Sequence, residues 1–125
     1  MTLLAKDETI YVAGSSGMAG NAICKLLSKQ GYTHQNRKLL TSSRKDLDLR
    51  DPIKVEDWFG KFRPQVVIIA AARVGGIKAN NEYPAEFIFD NLLIQANIID
   101  SCHVSGVKKM LFLFKLAWVG VIPYI

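Results

Sequence analysis

The stretch YVAGSSGMAGNAICKLL, residues 11–27, decides the fold. Gly14, Gly17 and Gly20 separate a short apolar run from a helical pattern of apolar residues. The run predicts a buried strand, and the pattern predicts a helix that ends near Gly31. A glycine-rich turn between a first strand and its helix is where α/β proteins bind a dinucleotide. The alternative is a plain strand-to-helix turn that needs glycine only for its backbone conformation.

The glycine spacing, G-x-x-G-x-x-G, differs from the commoner G-x-G-x-x-G, so its position before a helix carries the prediction. The first glycine permits a tight turn, the second lets a pyrophosphate approach the backbone, and the third lets the helix pack on the sheet. The helix N-terminus then supplies free N–H groups and a positive dipole end. The predicted cofactor-binding residues of this turn are Gly14, Ser15, Ser16, Gly17, Met18, Ala19 and Gly20.

The remainder of the chain alternates between strand and helix patterns, which predicts a parallel sheet. We predict strands over residues 9–13, 37–42, 46–49, 65–72 and 108–114, and we expect the first, the fourth and the last of them to be buried. Asp51 and Pro52 predict the start of a second helix, with Val55, Phe59 and Phe62 on its apolar side. Trp58, Phe59 and Phe62 are predicted to be core residues rather than a stacking platform. A third helix begins at Pro84, ends at Gly106, and carries Ile88, Leu92, Ile99 and Cys102 along one side.

The second strand is followed by SSRK, residues 42–45, where NAD-binding folds usually place an acid. Arg44 offers a guanidinium that can bind a 2′-phosphate in a bidentate manner, and Lys45 adds charge. This pattern favours NADP over NAD. The alternative is that Arg44 is a solvated loop cation. Asp46 and Asp48 follow closely, so the acid is displaced rather than missing.

Composition and charge indicate a single cytoplasmic domain. The 125 residues have a net charge of +5, but the basic residues are scattered, so we expect no nucleic-acid partner. Cys24 and Cys102 have no metal-ligand spacing and are predicted to be small buried hydrophobes. The apolar residues 110–125 are too few to cross a bilayer, so we expect no membrane partner. No secretory signal pattern is visible at the N-terminus.

The chain resembles the N-terminal part of the GDP-L-fucose synthases, which are extended short-chain dehydrogenase/reductases. The resemblance rests on the glycine turn, on IIAAARVGGIKANNEYPAEFIFDN (residues 68–91) and on IQANIIDSCHVSGVKKMLFL (residues 94–113). It implies an α/β fold, the truncated N-terminal part of a Rossmann-type doubly wound parallel sheet. The NADP-binding part would cover residues 1–113, followed by a divergent apolar tail over residues 114–125.

The resemblance also implies a function and roles for particular residues. Such an enzyme uses NADP to convert GDP-4-keto-6-deoxy-D-mannose to GDP-L-fucose, by 3,5-epimerisation and then 4-keto reduction. Arg44 would bind the 2′-phosphate, and Asp48 and Leu49 would border the adenine. Further cofactor-lining residues are Ala70, Ala71 and Ala72, with Val74, Gly75 and Gly76 as weaker candidates near the nicotinamide. Full-length relatives are expected to be homodimers that act on a nucleotide sugar.

The resemblance stops after Leu113. The family continues with a Gly-Ser-Ser-Cys-Ile-Tyr-Pro-like segment, whereas this chain continues with FKLAWV. The serine that would bind the substrate carbonyl and the cysteine used in epimerisation are therefore missing. A catalytic Tyr-x-x-x-Lys pair is missing too, because no lysine stands four residues after any tyrosine. We expect a truncated product without catalytic residues and with poor solubility.

Three other interpretations stay open. The chain could belong to another extended reductase that acts on a different nucleotide sugar. It could be a non-catalytic dinucleotide-binding module or an inert fragment, which the missing catalytic residues favour. The basic charge also allows a nucleic-acid-binding domain. The loop with residues 74–77 and 80–84 favours the GDP-L-fucose synthase resemblance.

Overall fold

Strands and helices alternate along the chain, as the sequence predicts. The computed structural model describes residues 7–71 and 84–113. The elements, in chain order, are β1 (Ile10–Ala13), α1 (Met18–Lys29), β2 (Leu39–Thr41), α2 (Pro52–Phe62), β3 (Val66–Ile69), α3 (Pro84–Ser105) and β4 (Lys109–Phe112). The divergent segment 114–125 lies outside the described residues.

The four strands form one parallel sheet in the order β2-β1-β3-β4. Val12 of β1 lies opposite Thr41 on one side and Ile68 on the other, and Ile69 lies opposite Phe112. This register brings the carboxyl ends of the strands to one edge of the sheet. The observed sheet confirms the predicted α/β class with parallel strands.

Helices cover both faces of the sheet. The α1 face buries Leu27 and Tyr32 against alternate strand residues, Ile10, Val12, Leu39, Val66 and Ile68. The opposite face buries Val55 and Phe59 of α2, and Ile94, Ile98 and Cys102 of α3, against Tyr11, Ala13, Val67 and Ile69. The central strands β1 and β3 are therefore buried on both faces, which explains why their sequences are apolar at every position.

The two short helices begin in different ways. Asp51 caps α2, because its carboxylate accepts hydrogen bonds from the backbone N–H groups of Ile53 and Lys54. Gly17 precedes α1 and offers no side-chain cap, and the first turn of α1 contains no acidic residue. Gly31 follows α1 with a φ of 95°, as expected for a glycine that ends a helix.

The predicted strand over residues 46–49 is wrong. This segment forms turns and makes no strand pairing. The Asp48 carboxylate accepts hydrogen bonds from the backbone N–H and the guanidinium of Arg50, and the Leu49 carbonyl accepts one from the Asn97 side chain. Side-chain partners thus take the place of a strand ladder, which is how Asp favours turns over strands.

The prediction that β4 is a buried strand is also wrong. Lys109, Met110 and Leu111 are exposed, and Phe112 is half-buried. Within residues 7–71 and 84–113, β4 pairs only with β3, so it forms an edge of the sheet. The predicted apolar side of α3 divides in the same way, because Leu92 and Ile99 are exposed while Cys102 is buried.

Candidate dinucleotide site

The chain leaves β1 and β3 in opposite directions, which makes a topological switch point between these two strands. From β1 the chain passes through α1 to β2, and from β3 it passes through α3 to β4 on the other side of the sheet. The two helices lie on opposite faces. Open α/β sheets bind their ligands at such a switch point, outside the carboxyl ends of the strands.

Gly14 lies at this switch point, immediately after β1. Its φ of 83° is in the region that favours glycine. A Cβ there would also lie 2.6 Å from the backbone N and Cα of Ala71, just after β3. The turn therefore presses against the end of the neighbouring strand, and both conformation and space require glycine.

Gly20 and Gly17 meet different constraints. A Cβ on Gly20, which is buried in the first turn of α1, would overlap the Gly14 carbonyl oxygen. A Cβ on Gly17 would lie 3.5 Å from that oxygen, an ordinary contact, and its φ of −75° suits any residue. The fold therefore needs Gly20, whereas it leaves open space beside Gly17, at the start of α1.

The start of α1 can receive an anion. It has no capping side chain and no first-turn carboxylate, so its N–H groups and positive dipole end are not neutralised by the protein. Ser16, Met18 and Ala19 are exposed and Ser15 is half-buried. An uncapped N-terminus with free space beside a glycine fits a pyrophosphate.

The loop after β2 presents two cations at the same edge of the sheet. The Ser43 carbonyl accepts hydrogen bonds from the N–H groups of Asp46 and Leu47, and the Ser43 hydroxyl accepts a further one from Asp46. These bonds close a turn that carries Arg44 and Lys45, and both are exposed. Leu47 is buried and anchors the far end of the turn.

A buried tyrosine contacts the beginning of this loop. The Tyr11 hydroxyl lies 2.6 Å from the hydroxyl oxygen of Ser42. Burial raises the pKa of Tyr11 to about 12, although the Ser42 hydrogen bond opposes the shift. The sequence alone does not reveal this pair, because a tyrosine in an apolar strand predicts only core packing.

Asp48 and Leu49 lie in the segment that joins the loop to α2. Arg50 holds the pKa of Asp48 below its ordinary value through side-chain and backbone hydrogen bonds. Arg50 also lies 3.8 Å from Asp90 of α3, and the buried Asn97 side chain donates to the Leu49 carbonyl over 2.9 Å. The Asp48 carboxylate is therefore engaged by Arg50. Asn97 was missed too, although a polar residue within the apolar pattern of α3 was a usable signal.

The structure thus places the predicted cofactor residues after three neighbouring strands. The glycine turn follows β1, Arg44 follows β2, and Ala70 and Ala71 follow β3, with Ala70 donating its N–H to the Ala13 carbonyl. The remaining predicted positions, Ala72, Val74, Gly75 and Gly76, lie outside the described residues.

A groove of about 410 Å³ lies beside this edge, between β2 and α2. Trp58 and Phe62 stack within it, with ring centroids 4.6 Å apart. Its two lysines, Lys54 and Lys61, are accompanied by two aspartates, Asp46 and Asp57. This mixed charge gives the groove no clear preference for an anion or a cation.

The two thiols are not poised for nucleophilic chemistry. Burial raises the pKa of Cys102 to about 11 and also raises the pKa of Cys24. Cys102 is buried as predicted, whereas Cys24 is only half-buried. Both are protonated at neutral pH, and the thiolate is the reactive form.

No helix within residues 7–71 and 84–113 combines the length and the apolar character needed to cross a bilayer.

Similar proteins match nearly the whole chain. Putative GDP-L-fucose synthase 2 of Arabidopsis thaliana is 48% identical over 111 residues, which are 89% of this chain and 33% of that protein. The GDP-L-fucose synthase of Escherichia coli is 42% identical over 106 residues, 85% of this chain and 32% of that protein. The chain thus spans about a third of the length of the curated relatives it matches.

Solved structures agree with the fold. A GDP-L-fucose synthetase from Naegleria fowleri bound to NADP is 34% identical with a TM-score of 0.68, over 87% of this chain and 31% of that one. MlghC, a GDP-mannoheptose C4 reductase from Campylobacter jejuni with NADP bound, is 32% identical with a TM-score of 0.78, over 87% and 33%. These likenesses confirm the predicted Rossmann-type architecture and the resemblance to GDP-L-fucose synthases.

The family model for the NAD dependent epimerase/dehydratase family matches residues 10–117, which include the glycine turn, the loop after β2 and every described strand. The chain belongs to the NAD dependent epimerase/dehydratase family.

Proposed function

We propose that this chain binds NADPH as the cofactor-binding part of a GDP-L-fucose synthase. The observation that carries the proposal is the start of α1, where Gly17 leaves space that the fold does not need and no side chain caps the helix. The NADP-bound relatives of similar fold support it. When bound, NADPH supplies the hydride for reduction of a ketone.

The chain's own residues would bind and orient the cofactor. The N–H groups at the start of α1 would bind the pyrophosphate, assisted by the hydroxyls of Ser15 and Ser16. The close packing of Gly14 on Ala71 brings the glycine turn against the end of β3, so Ala70 and Ala71 would line the next part of the cofactor. The resemblance assigns the same role to Ala72. Small side chains at these positions leave room for a ligand at the switch point.

Two features of the loop after β2 favour NADPH over NADH. Arg44 is exposed on a turn closed by its own hydrogen bonds, so its guanidinium can reach a 2′-phosphate. Asp48 is bound by Arg50, so it is not a free acceptor for the ribose 2′-hydroxyl that NADH carries. Asp48 and Leu49 would then border the adenine instead.

The substrate of the whole enzyme would be GDP-4-keto-6-deoxy-D-mannose, converted to GDP-L-fucose by epimerisation at C3 and C5 and reduction at C4. Identity of up to 48% with relatives named GDP-L-fucose synthase supports this choice. The chemistry would require a serine, a cysteine and a Tyr-x-x-x-Lys pair that this chain does not supply. We therefore expect cofactor binding without turnover by this chain alone. Cytoplasmic location and dimerisation of the complete enzyme remain predictions.

A second candidate function is reduction of another GDP-linked sugar. The C. jejuni GDP-mannoheptose C4 reductase matches this chain with a higher TM-score than the N. fowleri synthetase, 0.78 against 0.68. Both candidates share the proposed cofactor role, so they differ only in the sugar accepted by the complete enzyme.

Titration with NADPH and NADH, followed by cofactor fluorescence, tests the proposal. We expect NADPH to bind more tightly than NADH. Arg44→Ala should weaken the binding of NADPH by about tenfold or more, because a charged bidentate contact to phosphate is lost. Arg37→Ala is the matched control, since Arg37 is an exposed arginine before β2, at the opposite edge of the sheet. Absence of NADPH binding, or an equal response to both arginine changes, would contradict the proposal.

A further inference from the structure

The ring of Tyr11 is held rigidly between β1 and α2. The side chain is fully buried. Its ring centroid lies 4.1 Å from that of Trp58 in a tilted stack and 5.7 Å from that of Phe59 in an edge contact. Aromatic neighbours in these geometries fix the ring plane. The phenol oxygen is therefore held at one place, above the carboxyl end of β2.

That place is the start of the loop that carries Arg44. Ser42 is the first residue after β2, and its hydroxyl oxygen lies 2.6 Å from the Tyr11 hydroxyl. The following turn is closed by hydrogen bonds among its own residues, in which the N–H groups of Asp46 and Leu47 donate to Ser43. The Tyr11–Ser42 hydrogen bond thus holds the near end of the turn on the buried sheet, while the buried Leu47 anchors its far end.

We propose that Tyr11 is a positioning residue, which through Ser42 orients the turn bearing Arg44 toward the cofactor's 2′-phosphate and so sets the preference for NADPH over NADH. The inference rests on the proposed function. If Tyr11 donates its proton to Ser42, the Ser42 hydroxyl keeps its own proton to donate to an anion. Tyr11 remains protonated at neutral pH, because burial raises its pKa to about 12.

A purely structural Tyr11 would behave differently. Loss of its hydroxyl would then lower the stability of the protein and weaken the binding of both cofactors equally. The reason is that the glycine turn, which would bind the pyrophosphate common to both, follows β1, the strand that contains Tyr11. The ratio of the two dissociation constants therefore distinguishes positioning from support. NADPH and NADH differ only at the 2′-phosphate, which makes that ratio a local measure of the turn.

The experiment compares dissociation constants for NADPH and NADH in wild type, Tyr11→Phe, Ser42→Ala and the double variant. Tyr11→Phe keeps the ring and its contacts with Trp58 and Phe59. We expect each single change to weaken the binding of NADPH about five- to tenfold, as for one lost hydrogen bond near a charged group. The binding of NADH should weaken by less than about twofold. The double variant should be no weaker than either single one, because both remove the same link.

Two controls complete the test. Ser42→Thr keeps the hydroxyl and should bind NADPH much as wild type does. Tyr32→Phe removes a buried tyrosine hydroxyl on the opposite face of the sheet and should leave the NADPH-to-NADH ratio unchanged. The affinity for 2′,5′-ADP, measured by its competition with NADPH, should fall in Tyr11→Phe by the same factor as the affinity for NADPH.

The outcomes separate the two proposals. An unchanged ratio in Tyr11→Phe and Ser42→Ala, while wild type binds NADPH, would overturn the positioning role alone. Failure of wild type to bind NADPH would overturn the proposed function and this role with it. If Tyr11→Phe does not fold, the comparison of Ser42→Ala with Ser42→Thr decides the matter.

Discussion

The three glycines of the first loop differ in what the rest of the protein requires of them. Gly14 has a positive φ and presses on Ala71, and Gly20 packs against the Gly14 carbonyl. Gly17 has neither restriction. At the scale of single residues, the fold requires two of the glycines, and the proposed cofactor site would account for the third.

Alanine substitutions separate these roles. Gly20→Ala should destabilise the protein by about 3 kcal/mol or more, because the new methyl group overlaps backbone that cannot move freely. Gly17→Ala should lower the free energy of unfolding by less than about 1 kcal/mol, the range expected for a helix N-cap. It should nevertheless weaken the binding of NADPH by about tenfold or more. Urea unfolding measures the first effect, and cofactor fluorescence measures the second.

Gly60→Ala is the matched control for both glycine changes. Gly60 lies within α2 and has nothing near its missing Cβ. Alanine there should stabilise the helix by about 0.5–1 kcal/mol and leave NADPH binding unaltered. A Gly17→Ala protein that binds NADPH as wild type does would contradict the ligand-based explanation of Gly17.

The elements differ in how their ends are satisfied. α2 has an Asp51 cap, a proline at its first position and Arg63 in a left-handed conformation at its end. Because these signals are local, the start of α2 and its buried Val55 and Phe59 could be predicted from the sequence alone. Trp58 and Phe62 were predicted to be core residues, but Trp58 is half-buried and Phe62 is exposed.

Removal of the α2 cap should have a measurable cost. Asp51→Ala is expected to lower the free energy of unfolding by about 1 kcal/mol, because two backbone N–H groups lose their acceptor. Asp57→Ala, an exposed position within the same helix, removes the same charge without removing a cap. Equal losses from the two changes, measured by urea unfolding, would show that charge rather than capping is responsible.

The elements that could not be predicted depend on distant partners. Polar and apolar residues alternate over positions 46–49 as in a strand. However, Arg50 donates hydrogen bonds to the Asp48 carboxylate, and Asn97 donates one to the Leu49 carbonyl. Asn97 lies 48 residues away from Leu49 in the sequence, so local alternation cannot reveal the contact. The Tyr11–Ser42 bond was missed for the same reason, since it joins neighbouring strands rather than neighbouring residues.

At the scale of the whole molecule, the sheet is covered unevenly. β1 is buried at every position, whereas β4 is exposed at three of its four. An apolar strand can be buried by other elements of the described chain or by a surface outside them. The apolar sequence of the strand is the same in both cases. The β4 prediction was therefore wrong about burial although it was right about the strand.

The exposed apolar residues of β4 should promote association. Met110 and Leu111 point to opposite faces and are 43% and 53% exposed, on an edge strand. We expect light scattering to show mass increasing with protein concentration, and Leu111→Lys to reduce that increase. An added charge on an edge strand opposes edge-to-edge pairing.

Leu26→Lys provides the comparison for Leu111→Lys. Leu26 is 58% exposed on α1, so the same substitution is made at similar exposure away from the sheet edge. Its effect on association should be small. A wild-type protein that remains monomeric at all concentrations, or an equal response to both lysines, would contradict the role of β4.

The uncapped start of α1 links ligand binding to the integrity of the helix. An anion bound there would accept hydrogen bonds from the N–H groups at the start of α1, as the Asp51 carboxylate does at the start of α2. Binding to the native state alone raises stability by about 2.7 kcal/mol at a ligand concentration one hundred times the dissociation constant. Amide hydrogen exchange in the first turn of α1 should therefore slow when NADPH is added. A protein saturated with cofactor would resist proteolysis, whereas the empty form would open first at its glycine turn.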